Sequence, residues 1–260
     1  MKIFFKALTA LLLVSLAVWA IRSDSQDPGV VSAAPLAAAA PVGGDPGWRH
    51  SALWDDGKAE FCAYDVIWAR YGHRFDGRAL LVLVKEPWAP DLDVKADTPR
   101  KDSFDVLKLN HIRDVTTGIY TYHQMASVFT HRGSGALRKI AATSSEACGV
   151  STADMVKGRL STRSYFDGQA DRSMPWPSRA LPEDGLPASL RDYVAGPAPE
   201  TLDVFPSLLA GRFADLKPAS YRVEKKDAGE VETAAGTFPG IEIRLTNGAS
   251  VLTYIFERES

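Results

Sequence analysis

The side chains best able to take part in chemistry lie on short alternating segments. Residues 105–110 alternate strictly, which puts Lys108 and Asn110 on one side of a strand and Leu107 and Leu109 on the other. Adjacent strands are placed to bring Lys85, Tyr120 or Tyr122 to the polar side. These five make a candidate ligand-binding set of cations, an amide and phenols. A hydrogen-bonded ladder on a half-wet sheet accounts for the same residues. Glu86, Asp105 and Glu146 are the carboxylates available to a hydrolase acting on envelope polymers, which would need two of them at glycosidase separation in one cleft. Other catalytic patterns are missing. His50, His73, His111, His123 and His131 show none of the i, i+2 or i, i+4 pairings that set two imidazoles on one metal. No Gly-x-Ser-x-Gly elbow occurs, and Ser144-Ser145 before Glu146 reads as polar surface. No catalytic residue, metal or cofactor is expected.

The N-terminus bounds the chemistry further. Lys2 and Lys6, an apolar run over 7–17 and the small-x-small triplet Val18-Trp19-Ala20 form an export signal over residues 1–21. Cleavage after Ala20 yields a periplasmic protein. Retention, with Arg22, Asp24 and Asp27 stopping the run, yields an inner-membrane anchor facing the periplasm and confines membrane contact to this segment. Residues 22–48, rich in Ala, Pro and Gly, read as a flexible tether, and 49–260 as a single β-rich domain. With 30 basic against 32 acidic residues, no nucleic-acid partner is implied. In an oxidising compartment the only two cysteines, Cys62 and Cys148, are expected to form a disulfide; two buried free thiols are the alternative.

The elements that carry these residues read mainly as antiparallel strands. Residues 59–70 alternate, a turn occupies 71–77, and 78–86 is a β-branched and leucine run ended by Pro87. Residues 118–130 and 137–144 continue the pattern across a turn at 131–135, and 149–156 with 159–165 form another pair. Four prolines mark 171–187 as a covering loop. Helical spacing places short helices at 186–193 and 201–213. Strands follow at 221–226, 229–234, 240–246 and 250–257, with Asn247-Gly248 as the turn of the last hairpin. The fold class is therefore mainly β, an antiparallel and strongly bent sheet with one or two short helices.

Dense aromatics along the strands, among them Trp54, Tyr64, Trp68, Trp88, Tyr120, Tyr122, Phe129, Tyr165 and Phe166, fit either an ordinary core or a concave sheet lined for a hydrophobic or amphiphilic ligand. The segments 105–110, 117–122, 125–129, 144–149 and 164–167 resemble a family of exported bacterial proteins of unknown function. Its members often carry the label septum formation inhibitor Maf. The nucleotide pyrophosphatases properly so named begin with Ser-x-Ser-Pro-Arg-Arg, which is absent here, so the label does not fit. Residues 230–255, with Ala235-Gly236-Thr237-Phe238, are similar to the end of another periplasmic family expected to form half-barrels of the kind that carry lipoproteins. The chain departs where those relatives have Glu-Trp-Cys-Gly-His, since Ala147 and Val150 replace the Trp and the His. The resemblance shares the Cys148 position but not that of Cys62. Together these features point to an exported non-catalytic binding or envelope-maintenance module. The envelope-polymer hydrolase and a structural, partner-binding domain on a tether are the alternatives.

Overall fold

In the computed structural model, which describes residues 43–259, strands β1 (Ala59–Arg70), β2 (His73–Ala89), β3 (Val94–Lys95), β4 (Phe104–Thr117), β5 (Tyr120–His131), β6 (Leu137–Glu146), β7 (Gly149–Val156), β8 (Arg159–Arg163) and β9 (Arg172–Pro175) form one antiparallel sheet. Its order is β1-β2-β4-β5-β6-β7-β8-β9, with β3 paired to β2. Short loops force this meander, since a two-residue turn can only return the chain beside the strand it has left. The turn between β1 and β2 is Tyr71-Gly72, both at positive φ, so β2 begins earlier than the expected turn at 71–77 allowed. The sheet is open and bent, with β1 and β9 as its edges. The expected export signal or anchor at 1–21 and most of the tether lie outside the described residues.

The second sheet has the order β10 (Leu181–Pro182), β11 (Thr201–Phe205), β12 (Ala219–Thr233), β13 (Gly236–Asn247) and β14 (Ser250–Glu257). Five sequence expectations change in and around this sheet. Residues 201–213 are not a helix: Thr201–Phe205 is a strand paired to β12, because Leu202 and Val204 alternate inward and Pro206 ends the run. The expected strands at 221–226 and 229–234 are one strand, bulged between Asp227 and Gly229. The last hairpin turns on Gly248-Ala249 rather than Asn247-Gly248, with only Gly248 at positive φ, while Asn247 donates from Nδ2 to the Ser220 carbonyl at 2.7 Å. The expected helix at 186–193 is two single turns, α1 (Leu186–Ser189) and α2 (Asp192–Ala195), and the expected loop at 171–187 contains β9 and β10.

The helical segment is sandwiched between the sheets. Ala188 packs on Leu83, Leu107 and Leu109 of the large sheet, while Leu186, Leu190, Tyr193 and Val194 pack with Val204, Val223, Ile243 and Leu245 of the small one. A third cluster joins Val128, Ile140, Met155 and Leu160 to Trp176, Phe205, Leu209 and Phe213. Asp184, fully buried, supports the crossing loop by accepting from the Leu208 N–H at 2.7 Å, the Leu209 N–H at 3.3 Å and the Ser207 hydroxyl at 2.5 Å. The loop then presses onto the sheet at Gly211, where a Cβ would stand 2.5 Å from that of Ser144 and φ is +64°. The large sheet thus has a covered face, filled with side chains, and an open face.

The folded unit starts before the expected limit at residue 49. The Asp45 amide donates to the Asp192 carbonyl at 2.6 Å, the Trp48 indole donates to Asp192 Oδ1 at 2.7 Å, and Arg49 pairs with Asp192 at 3.2 Å. The end of the expected tether is therefore bound, through a turn spanning Pro46–His50.

The Cys62–Cys148 disulfide is not formed, and both thiols are free. Cys62 sits in β1 opposite Leu81, whereas Cys148 lies in the turn after β6, with β2, β4 and β5 in between. Strand spacings of about 4.8 Å across four steps far exceed the reach of roughly 4.4–6.8 Å between bridged Cα atoms.

Candidate functional site

Register divides the five expected ligand-binding residues between the two faces. Lys108 and Asn110 lie on the open face, as Leu107 and Leu109, buried on the covered face, require. Lys85 stands opposite Leu107 and so faces the other way. There it pairs with Asp55 at 2.6 Å and Asp105 at 3.7 Å, pinning the short helical turn Ala52–Asp55 together with Arg132. Tyr120 and Tyr122 also point to the covered side, because Tyr122 pairs with Val115 and Tyr120 with Thr117, both an even number of residues along β4 from Leu109. They belong to a cluster at the far end of the sheet. The Tyr122 hydroxyl is 3.2 Å from that of Tyr71, and its ring meets Trp68 edge-on at 5.0 Å. Burial, then contacts with Glu146 and Tyr71, push its pKa up. Tyr120 is raised chiefly by its hydrogen bond with Cys148. The expected set is not one site.

The carboxylates named for a hydrolase do not meet either. Glu86 is on the open face, bonded by Lys108 Nζ at 2.6 Å; Asp105 is on the covered face with Lys85 and Arg132; Glu146, at the opposite end, accepts from the Tyr165 hydroxyl at 2.9 Å. Period-2 geometry separates Glu86 from Asp105 even though Asp105 is aligned with Pro87. Among the described residues no three His, Cys, Asp or Glu side chains gather as a metal site.

What Lys108 does join is a hollow of about 390 Å³ lined by Glu86, Trp88, Val94, Lys95, Lys108, Phe129 and Lys139. The register predicts this grouping: Lys108 stands between Val84 and Phe129, and Phe129 faces Lys139. The β2–β3 turn folds over the end of the sheet and is held by Asp93, whose buried carboxylate lies 3.6 Å from Arg138 and 3.7 Å from Lys157, while its carbonyl accepts from Lys139 Nζ at 3.1 Å. Trp88, 1% exposed, forms the floor with Phe129, ring centres 5.1 Å apart, and its indole N–H has no acceptor among the described residues. Lys95 lies 3.7 Å from Glu86, so the single buried carboxylate is shared by two of the three lysines. The hollow carries a surplus of positive charge over an aromatic base. Trp88 and Phe129 were among the aromatics that the sequence offered for a ligand-lining sheet, whereas Lys95 and Lys139 escaped sequence reasoning, because only the register brings Lys139 beside Phe129.

Beside the hollow the open face is apolar. Leu80, Val82, Val84 and Ile112 are half-buried, Phe61 and Met125 are exposed, and none belongs to the three core clusters. Cross-strand pairing makes them contiguous: Phe61 with Val82, Ala63 with Leu80, Leu80 with Ile112 and Ile112 with Met125. On β4, Asn110, bonded by the Ser127 hydroxyl at 2.7 Å, lies between Ile112 and Lys108, while on β2 Val82 and Val84 carry the stripe up to Lys108.

On the covered face His111 is the one histidine that burial pushes down to about 4, with Arg113 adding to the effect. Its Nδ1 is buried without a hydrogen-bond partner. The folded chain holds the ring neutral while the unfolded chain protonates near the ordinary 6.5, so the unfolded state binds more protons between about 4 and 6.5 and this group's contribution to stability falls as pH drops through that window. His111→Gln should flatten that part of the stability curve. Denaturant midpoints with the same pH dependence in both chains would contradict the assignment.

No helix among the described residues is long and apolar enough to cross a membrane. No family model, curated protein or solved structure matches the chain.

Proposed function

We propose that this chain is an exported, non-catalytic binding protein that holds an anionic amphiphile on the open face of its large sheet. The observation that carries the reading is the continuity of the two halves: a hollow with three lysines over Trp88 and Phe129, and next to it an uncovered apolar stripe. An acidic head group is matched by Lys95, Lys108 and Lys139, and an acyl chain by Val84, Val82, Leu80, Ile112 and Met125. Contiguous apolar surface on a soluble domain marks a contact site, and a hollow of this volume lies within the range of small-ligand sites. Most of the covered face is filled by its own core, and the hollow of about 370 Å³ at its β9 edge, lined by Arg172, Ser173, Met174, Ala214, Leu216 and Lys217, has no aromatic floor.

Displacement of a fluorescent fatty acid by dodecanoate tests this. Saturable binding is expected, with dodecanol weaker than dodecanoate. Lys95→Ala and Lys139→Ala should each weaken binding by about threefold to fivefold, as partly exposed charges do, and Phe61→Asp should weaken it through the stripe. Binding that does not saturate, or that is indifferent to all three substitutions, would overturn the reading.

A further inference from the structure

Three lysines and one carboxylate line the hollow over Trp88 and Phe129, so two positive charges stand unbalanced inside it. The surroundings do not cancel them. Asp91 and Asp102 lie against Arg100, and the Asp93 carboxylate lies between Arg138 and Lys157. Of the exposed acids farther out, Asp97 has Lys101 in the same loop, and Asp154 shares the open face of β7 and β8 with Arg159.

The lysines also hold more hydrogen-bond donors than the chain uses. Lys108 gives one ammonium N–H to Glu86 Oε1 at 2.6 Å and Lys139 gives one to the Asp93 carbonyl at 3.1 Å, while Lys95 only approaches Glu86, at 3.7 Å. The three ammonium groups carry nine N–H donors, and among the described residues only these two are matched. The buried indole N–H of Trp88 is a further donor without an acceptor. Water satisfies exposed ammonium groups readily, but an enclosed indole N–H left unpaired costs free energy that a ligand oxygen would recover.

We infer that the head group held in this hollow is a phosphate monoester, so that the ligand is an amphiphilic alkyl or acyl phosphate. The inference rests on the open-face reading proposed above and narrows it. A carboxylate brings one charge and two oxygens, which leaves one positive charge unbalanced and most of the donors unmatched. A phosphate monoester brings close to two charges and three terminal oxygens, which balances the surplus and gives each ammonium group an oxygen of its own. A phosphate diester carries a single charge and leaves the same surplus as a carboxylate.

The test uses the full chain and displacement of the same fluorescent fatty acid, at pH 8, where the monoester's second ionisation near about pH 6 is complete. Dodecyl phosphate should displace the probe at about one tenth of the concentration that dodecanoate needs, the gain of roughly one charge-assisted hydrogen bond. Methyl dodecyl phosphate, a monoanion of similar shape, should compete as dodecanoate does, and inorganic phosphate, which lacks the chain, far more weakly. Lys95→Ala and Lys139→Ala should each cut the preference for dodecyl phosphate to about threefold or less, because either change removes one of the two unbalanced charges. Lys95 is exposed, so its truncation leaves the core untouched. Equal binding of dodecyl phosphate and dodecanoate, a methyl diester as tight as the monoester, or a preference undiminished in both variants would overturn the phosphate head group while leaving a site for an anionic amphiphile. Inorganic phosphate competing as well as dodecyl phosphate would overturn the amphiphilic ligand. Absence of saturable binding by either amphiphile would take down the open-face reading and this inference with it.

Discussion

Phe205→Ala should lower the free energy of unfolding by about 3–5 kcal/mol, the loss expected for a fully enclosed aromatic. Phe205 has no exposed surface and packs on Trp176 with ring centres 4.4 Å apart. The site is sensitive because β11 serves two cores at once. Val204 points into the cluster under the small sheet, and Phe205, one residue on, points into the cluster built on Val128, Ile140 and Met155 of the large sheet. Truncating the ring leaves a cavity between layers contributed by different parts of the chain, which neither can close by a local shift. Chemical denaturation followed by tryptophan fluorescence measures the loss. A change below about 1 kcal/mol would mean that the layers are not packed through this side chain.

Leu107→Ala and Leu109→Ala should each cost roughly 2–5 kcal/mol. Both leucines are almost completely enclosed, against Leu83, Trp54 and Ala188. Lys108→Ala, between them in sequence, removes no core contact and should cost less than either, although it leaves Glu86 with Lys95 as its remaining cation partner. A midpoint unmoved by both leucine substitutions would place the covered face on the wrong side of β4. The ordering of the three changes reports the face directly.

The strand character of this chain was written in local terms. Residues 105–110 alternate, so Leu107 and Leu109 face one way and Lys108 and Asn110 the other whatever surrounds them, and the core took the leucines because only they gain by leaving water. The same logic failed at 201–213. Leu202, Phe205, Leu208 and Leu209 have helical spacing, but Leu202 and Val204 also have strand spacing, and the available edge of β12 decided between them.

The amino-acid sequence by itself determined a mainly β protein and which side chains within each strand share a face. Tertiary structure alone decided how the strands were aligned. Because the side-chain period is two, a single residue of register moves a whole strand's polar set to the opposite face. The turn at Tyr71-Gly72 and the longer connection through β3 set Lys85 opposite Leu107 and Glu86 opposite Val106. That alignment sent Lys85 to the covered face and gave Lys108 to Glu86. The bulge between Phe129 and Thr130 likewise set Lys139 opposite Phe129. The distance between Cys62 and Cys148 was of the same kind: each cysteine's strand or turn was legible, but the number of strands inserted between them is a property of the sheet.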